Sequence, residues 1–230
     1  VFEVARFLSE LGDTDCEVLD DAFLVQPVNA LTSLSYVIVG VVIALGAIRS
    51  GISRTEGVVY GLCLAAVGLG SVAFHGPQPA GSGVLHDLPI LVTAFFILVM
   101  DLRLLVARPL PWWWIFAGTT LLSIVVTLVD RLVASALTGV VLLAVAALEF
   151  LIHRRHLRAG DLRSQRWLYG ILVGVLMIAG ATWILGRSDA PLCRPHSLFQ
   201  FHGLWHALSA VAFGAWWWLA RRGPAQPTRG

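Results

Sequence analysis

Residues 31–48 read LTSLSYVIVGVVIALGAI, eighteen positions without a charged side chain. Wound as a helix they would be about 27 Å long, close to the thickness of a bilayer's hydrocarbon core. Apolar residues occupy every side of that helix, so it needs an apolar medium all round rather than one buried face. Six more segments read the same way, at 57–74, 85–106, 112–128, 132–152, 167–185 and 198–220. The predicted fold is therefore all-α, a seven-transmembrane helical bundle. The connections at 49–56, 76–84, 108–111, 153–166 and 186–196 are short and collect turn residues and charges.

Composition points the same way. Of the 230 residues 57% are hydrophobic and 13% charged, where a soluble domain carries about a quarter charged. A net charge of +2, scattered along the chain, does not make a nucleic-acid surface. The partner it implies is the lipid bilayer.

All sixteen basic residues are arginines, and twelve of them fall in the loops after spans one, three and five and in the tail. Retained cytoplasmic loops gather basic residues, so the N-terminus is predicted outside and the C-terminus inside. The expected organisation is an extracytoplasmic segment at 1–28, a seven-helix membrane domain at 29–220 and a cytoplasmic tail at 221–230. Val1, Val4, Leu8 and Leu11 recur at helical spacing and predict a short amphipathic helix on the interface. Residues 1–12 lack the basic start and apolar run of a cleavable signal.

Ionisable side chains in hydrocarbon are costly and usually serve function. His202 and His206, in the run FHGLWH at 201–206, stand four apart and so share a face of span seven. Two imidazoles one turn apart can bind one metal ion, and the alternative is a hydrogen-bonded pair in the core. Ser71 and His75 share a face at the outer end of span two, and Asp87 opens span three with Pro89 in its expected first turn. The topology puts all three helix ends on the outer side, so three histidines, a hydroxyl and a carboxylate can converge. Three histidines with an open fourth position suit a catalytic zinc. Against this, Ser71 can bond its own helix backbone, and Asp87 can answer the dipole at a helix start.

These motifs resemble the alkaline ceramidases, within the superfamily that includes the progestin/adiponectin-type receptors. The resemblance rests on Ser71-x-x-x-His75, the acidic opening of span three and Phe201-His202-x-x-Trp205-His206, and runs from about Cys16 to Trp218. It implies zinc held by His75, His202 and His206, with Ser71 and an acidic partner beside it, cleaving the amide of a ceramide-like membrane lipid. In that mechanism Asp87 takes the water proton and Ser71 hydrogen-bonds the oxyanion. Counted without gaps from His75, however, the family's acidic position falls on His86. A one-residue insertion in the loop at 76–84 would return Asp87 to the site; a His86 acting as fourth ligand would instead close the zinc.

The resemblance also implies a calcium site near the N-terminus, with Asp15, Glu17 and Asn29 as its counterparts. The Trp usual before the Cys and a Glu near Gln26 are absent, and a solvated acidic turn is the other reading. Cys16 and Cys193 lie on the predicted outer side, where oxidation is permitted, and the resemblance implies that they pair. The active site is accordingly expected near the extracytoplasmic face of a multi-pass protein.

The remaining polar and aromatic residues carry plainer expectations. Asp101 and Glu149 are expected to snorkel or to pair with Arg103, Arg154 or Arg155. The run HRRH at 153–156 is expected to anchor on anionic headgroups, and Trp112 to Trp114 and Trp216 to Trp218 to form interfacial belts. The rival function is a receptor or scaffold with a structural zinc. A transporter is disfavoured, because the halves show no repeat.

Overall fold

A computed structural model of the chain describes residues 14–51, 53–106, 109–158 and 166–220. The amphipathic helix expected at Val1 to Leu11 and the tail at 221–230 lie outside the described residues, as does the side chain of His156. Seven helices follow in order: α1 (Pro27–Ser50), α2 (Arg54–His75), α3 (Ser82–Leu105), α4 (Trp112–Val129), α5 (Arg131–Arg158), α6 (Arg166–Leu185) and α7 (Phe201–Ala220). The first six are long and apolar enough to cross a membrane. The seventh falls short because His202 and His206 lie within it, so the residues that build the site dilute the hydropathy of their own span. Among the described residues the β pairing is one isolated bridge, Asp15 to Arg187.

α1 starts four residues before the expected span, with Pro27 in its first turn, where a missing N–H costs nothing. No neighbouring side chain caps it. Glu17 does so from a distance, accepting Val28 N–H at 2.7 Å and Asn29 N–H at 2.8 Å. α1 ends at Gly51, whose φ of 67° is the left-handed conformation that glycine adopts without steric cost.

Small residues bring α1 and α2 backbone to backbone. A Cβ on Gly40 would stand 2.4 Å from Gly61 O, and one on Gly68 2.9 Å from Ser33 O. In lipid, where apolar surface alone gives helices no reason to associate, such close van der Waals packing holds them together. Its consequence is that Ser33 of α1 and Ser71 of α2 meet, Oγ to Oγ at 2.8 Å.

α3 begins earlier than expected, so Pro89 lies inside it rather than in its first turn. A proline there cannot bond the carbonyl of Leu85 one turn back. That carbonyl abuts Gly70, where a Cβ would stand 1.9 Å from it. Glycine next to Ser71 thus lets α2 settle on the interrupted turn of α3.

Away from the histidines the bundle packs on Tyr60, which stacks on Phe96 at 5.3 Å and Trp217 at 5.6 Å and meets Trp216 edge-on at 5.1 Å. The belt reading of the tryptophans is corrected in part. Trp112, Trp216 and Trp217 are buried in the core, while Trp113, Trp114 and Trp218 are exposed. Asp101 and Glu149 do not snorkel either. Asp101 is fully buried, Glu149 accepts the Trp216 indole N–H, and Arg103 pairs with Glu56 at 3.2 Å. Helices apolar on every side give no hydropathy signal of which face turns inward.

Candidate metal centre

His75 closes α2, and His202 and His206 lie on one face of α7, as the four-residue spacing requires. Their ring centroids are 4.6 to 5.2 Å apart, and one nitrogen from each lies within 4.8 Å of the others. All three are buried.

The hydrogen bonds around them assign the tautomers. Gln26 gives its amide N–H to Glu17 O at 3.0 Å, so its Oε1 must face His75 Nδ1, 2.7 Å away. His75 therefore carries its proton on Nδ1, and its Nε2 is buried without a hydrogen-bond partner. At His206, Nδ1 lies 3.2 Å from Ser33 Oγ and 3.3 Å from Thr32 Oγ1. Both hydroxyls spend their single proton on α1 carbonyls, Ser33 on Asn29 O and Thr32 on Val28 O, so they accept from Nδ1–H. Nε2 of His206 is again the nitrogen left for a ligand. Both nitrogens of His202 are buried without a hydrogen bond. Neutral imidazoles with unspent nitrogens turned on one point are the donor set of a divalent transition metal, and buried nitrogens of that kind are costly without one.

Ser71 is buried beside this point, bonded to Ser33 rather than to its own helix backbone. Because the Ser33 proton is committed to Asn29 O, Ser71 is the donor in that pair.

Asp87 contacts other groups than the three histidines. Its Oδ2 receives Arg131 Nε at 3.0 Å and Nη2 at 2.7 Å, and its Oδ1 is 2.8 Å from His86 Nδ1. His86 lies closer in, with its ring 6.0 Å from that of His75. Gly83 makes room for the guanidinium, since a Cβ there would stand 2.1 Å from Arg131 Nη1.

The acidic residues that flank Cys16 are divided between two tasks. Glu17 caps α1, with burial raising its carboxyl against the pull of the Asn29 and Val28 N–H groups. Asp15 faces the histidines, its Oδ1 3.2 Å from His202 Nδ1 and its Oδ2 3.8 Å from His75 Nδ1. Burial pushes its carboxyl up to about 7, against the opposing charges of His86 and Arg187. Asn29 touches Glu17 through its backbone; its buried side-chain amide makes no hydrogen bond. Cys16 and Cys193 form a disulfide, with Cα atoms 5.4 Å apart, as expected.

The sequence reading missed Gln26, Thr32 and Ser33 as the groups that orient the imidazoles, and Arg131 as the partner of Asp87. Thr32 and Ser33 are adjacent hydroxyls in an apolar span, and Arg131 stands on the arginine-poor side. Those were the available signals.

A multi-spanning helical bundle with three buried imidazoles converging beside a serine has a site that could hold a metal ion. The chain belongs to the ceramidase family, whose model, described as Ceramidase, matches residues 22–221. That membership implies an amide hydrolase acting on lipid in a membrane. No curated protein matches the chain.

Proposed function

We propose that the protein is a zinc-dependent hydrolase that cleaves the amide of ceramide or a related N-acyl lipid, releasing a fatty acid and an amine. The observation that carries this reading is the meeting of His75, His202 and His206, with ligand nitrogens within 4.8 Å of one another and buried. The three imidazoles would hold the zinc. When bound, it supplies Lewis acidity at a carbonyl oxygen and a nucleophile from water near neutral pH.

The chain's own residues supply the rest. His86 and Asp87 form the proton-transfer pair: Asp87 accepts Nδ1–H of His86, and Arg131 holds Asp87 in place, leaving Nε2 of His86 to take and return a proton. Asp87 thus acts through His86 rather than on water directly. Ser71 donates to the developing oxyanion by turning away from Ser33. An apolar groove of about 330 Å³ between α6 and α7, lined by Ile171, Val175, Val211 and Ala215 on the half of α7 away from the histidines, could take part of an acyl chain. The arginine distribution supports a site near the extracytoplasmic face. The reading is tested by fatty-acid release from a panel of N-acyl lipids, with zinc per chain measured in the same sample. Absence of release from every member would refute it.

A further inference from the structure

The carboxylate closest to the histidines lies outside the three motifs that bring them together. Asp15 precedes Cys16 in the segment before α1, sixty residues from His75 in the chain. It approaches two of the three imidazoles, and both from the Nδ1 edge. His75 has already committed Nδ1–H to Gln26 and keeps Nε2 for the ligand point. A carboxylate on the Nδ1 edge therefore stands behind the rings, outside the ligand set.

Its position is over-determined. Thr14 O accepts Ser188 N–H at 2.9 Å, Asp15 bridges to Arg187, and Cys16 N–H donates to Gly186 O at 2.7 Å. The disulfide from Cys16 to Cys193 ties the next residue to the same connection between α6 and α7. Gly186 in turn lies against His202, for a Cβ there would stand 2.6 Å from His202 N. Asp15 and His202 are thus both registered on residues 186–193.

We infer that Asp15 is the positioning residue of His202: its Oδ1, 3.2 Å from Nδ1 but outside hydrogen-bond geometry, closes on Nδ1–H when the metal is bound, fixing that imidazole's tautomer with Nε2 to the metal. Gln26 does this for His75, and Ser33 with Thr32 for His206, so Asp15 completes a set in which every ligand has an outer partner. The partner at His202 is the charged one, and a carboxylate behind a ligating imidazole raises its basicity. The inference rests on the three-histidine metal reading above.

The test compares the full-length wild type with Asp15→Asn and Asp15→Ala. Zinc affinity is measured by chelator competition, and the absorption spectrum is recorded with Co²⁺ in place of zinc. Asn keeps an acceptor but loses the charge, whereas Ala loses both. Affinity should fall in the order wild type, Asn, Ala, by about 10- to 100-fold overall, the cost usual for such outer partners. The Co²⁺ bands should shift without loss of a ligand. An intact Cys16–Cys193 disulfide and, at pH 5 where the Asp15 carboxyl is neutral like the Asn amide, a melting temperature of the metal-free Asn variant close to wild type exclude misfolding as the cause. Equal affinity and identical spectra in all three proteins would overturn the inference alone. Loss of an oxygen ligand would also overturn it, by making Asp15 a ligand. A wild type that takes up no metal would overturn the hydrolase reading and this inference with it.

Discussion

Arg131 meets Asp87 with two nitrogens on one oxygen, Nε at 3.0 Å and Nη2 at 2.7 Å, and so ties the start of α5 to the start of α3. Both side chains are largely withdrawn from solvent, at 6% and 15% exposure, so neither charge can turn to water if its partner is lost. Arg131→Ala is expected to destabilise the protein by about 3 kcal/mol, the range for breaking a buried pair. Arg131→Lys keeps the charge but not the two-point geometry and should lie between. Thermal unfolding in detergent measures both, and an Ala variant as stable as wild type would remove the pair from the account.

The same carboxylate reaches the histidine cluster through His86. Asp87→Asn and His86→Ala are therefore both expected to keep zinc and to lose turnover by roughly 100-fold or more. A His86→Ala enzyme of full activity would show that the proton takes another route.

Ser71 offers its hydroxyl proton to Ser33 in the resting arrangement and must redirect it to act on the substrate. Ser71→Ala should lower kcat by about 100-fold, the loss typical of one oxyanion donor, with zinc content unchanged. A change confined to KM would assign Ser71 to substrate binding.

Burial raises the carboxyl of Asp15 from its ordinary 3.8 to about 7, with His86 and Arg187 pulling it down and Glu17 adding to the rise. The folded, metal-free protein thus favours the neutral acid. This contribution to stability is complete below pH 3.8 and is lost as pH rises through about 7. The melting temperature of metal-free wild type should fall between pH 5 and pH 8 more than that of Asp15→Asn, which has no carboxyl to titrate. Parallel declines in the two proteins would contradict this.

The seven helices and the three histidines were legible because each follows from a local pattern, either an unbroken apolar run or a four-residue spacing on one helix. What was not legible is tertiary. Asp15 reaches His202 across the length of the chain because a disulfide and a bridge to residues 186–193 carry it there. Its sequence neighbourhood shows an acidic turn and the counterpart of a calcium site, and neither points to His202. Asp87 is adjacent to His86 in sequence, but its engagement by Arg131 depends on the packing of α3 against α5, aided by Gly83. The inward turn of Asp101, Trp216 and Trp217 was hidden for a simpler reason, since hydropathy does not distinguish the lipid-facing side of a helix that is apolar all round.

The central claim is that three imidazoles hold a zinc on which hydrolysis of an N-acyl lipid depends. Fatty-acid release from ceramide, measured on metal-free, zinc-restored and His206→Ala protein, tests it most directly. Release is expected only from zinc-restored wild type, with none recovered when zinc is added to His206→Ala. Equal release from the metal-free protein, or from His206→Ala, would contradict it.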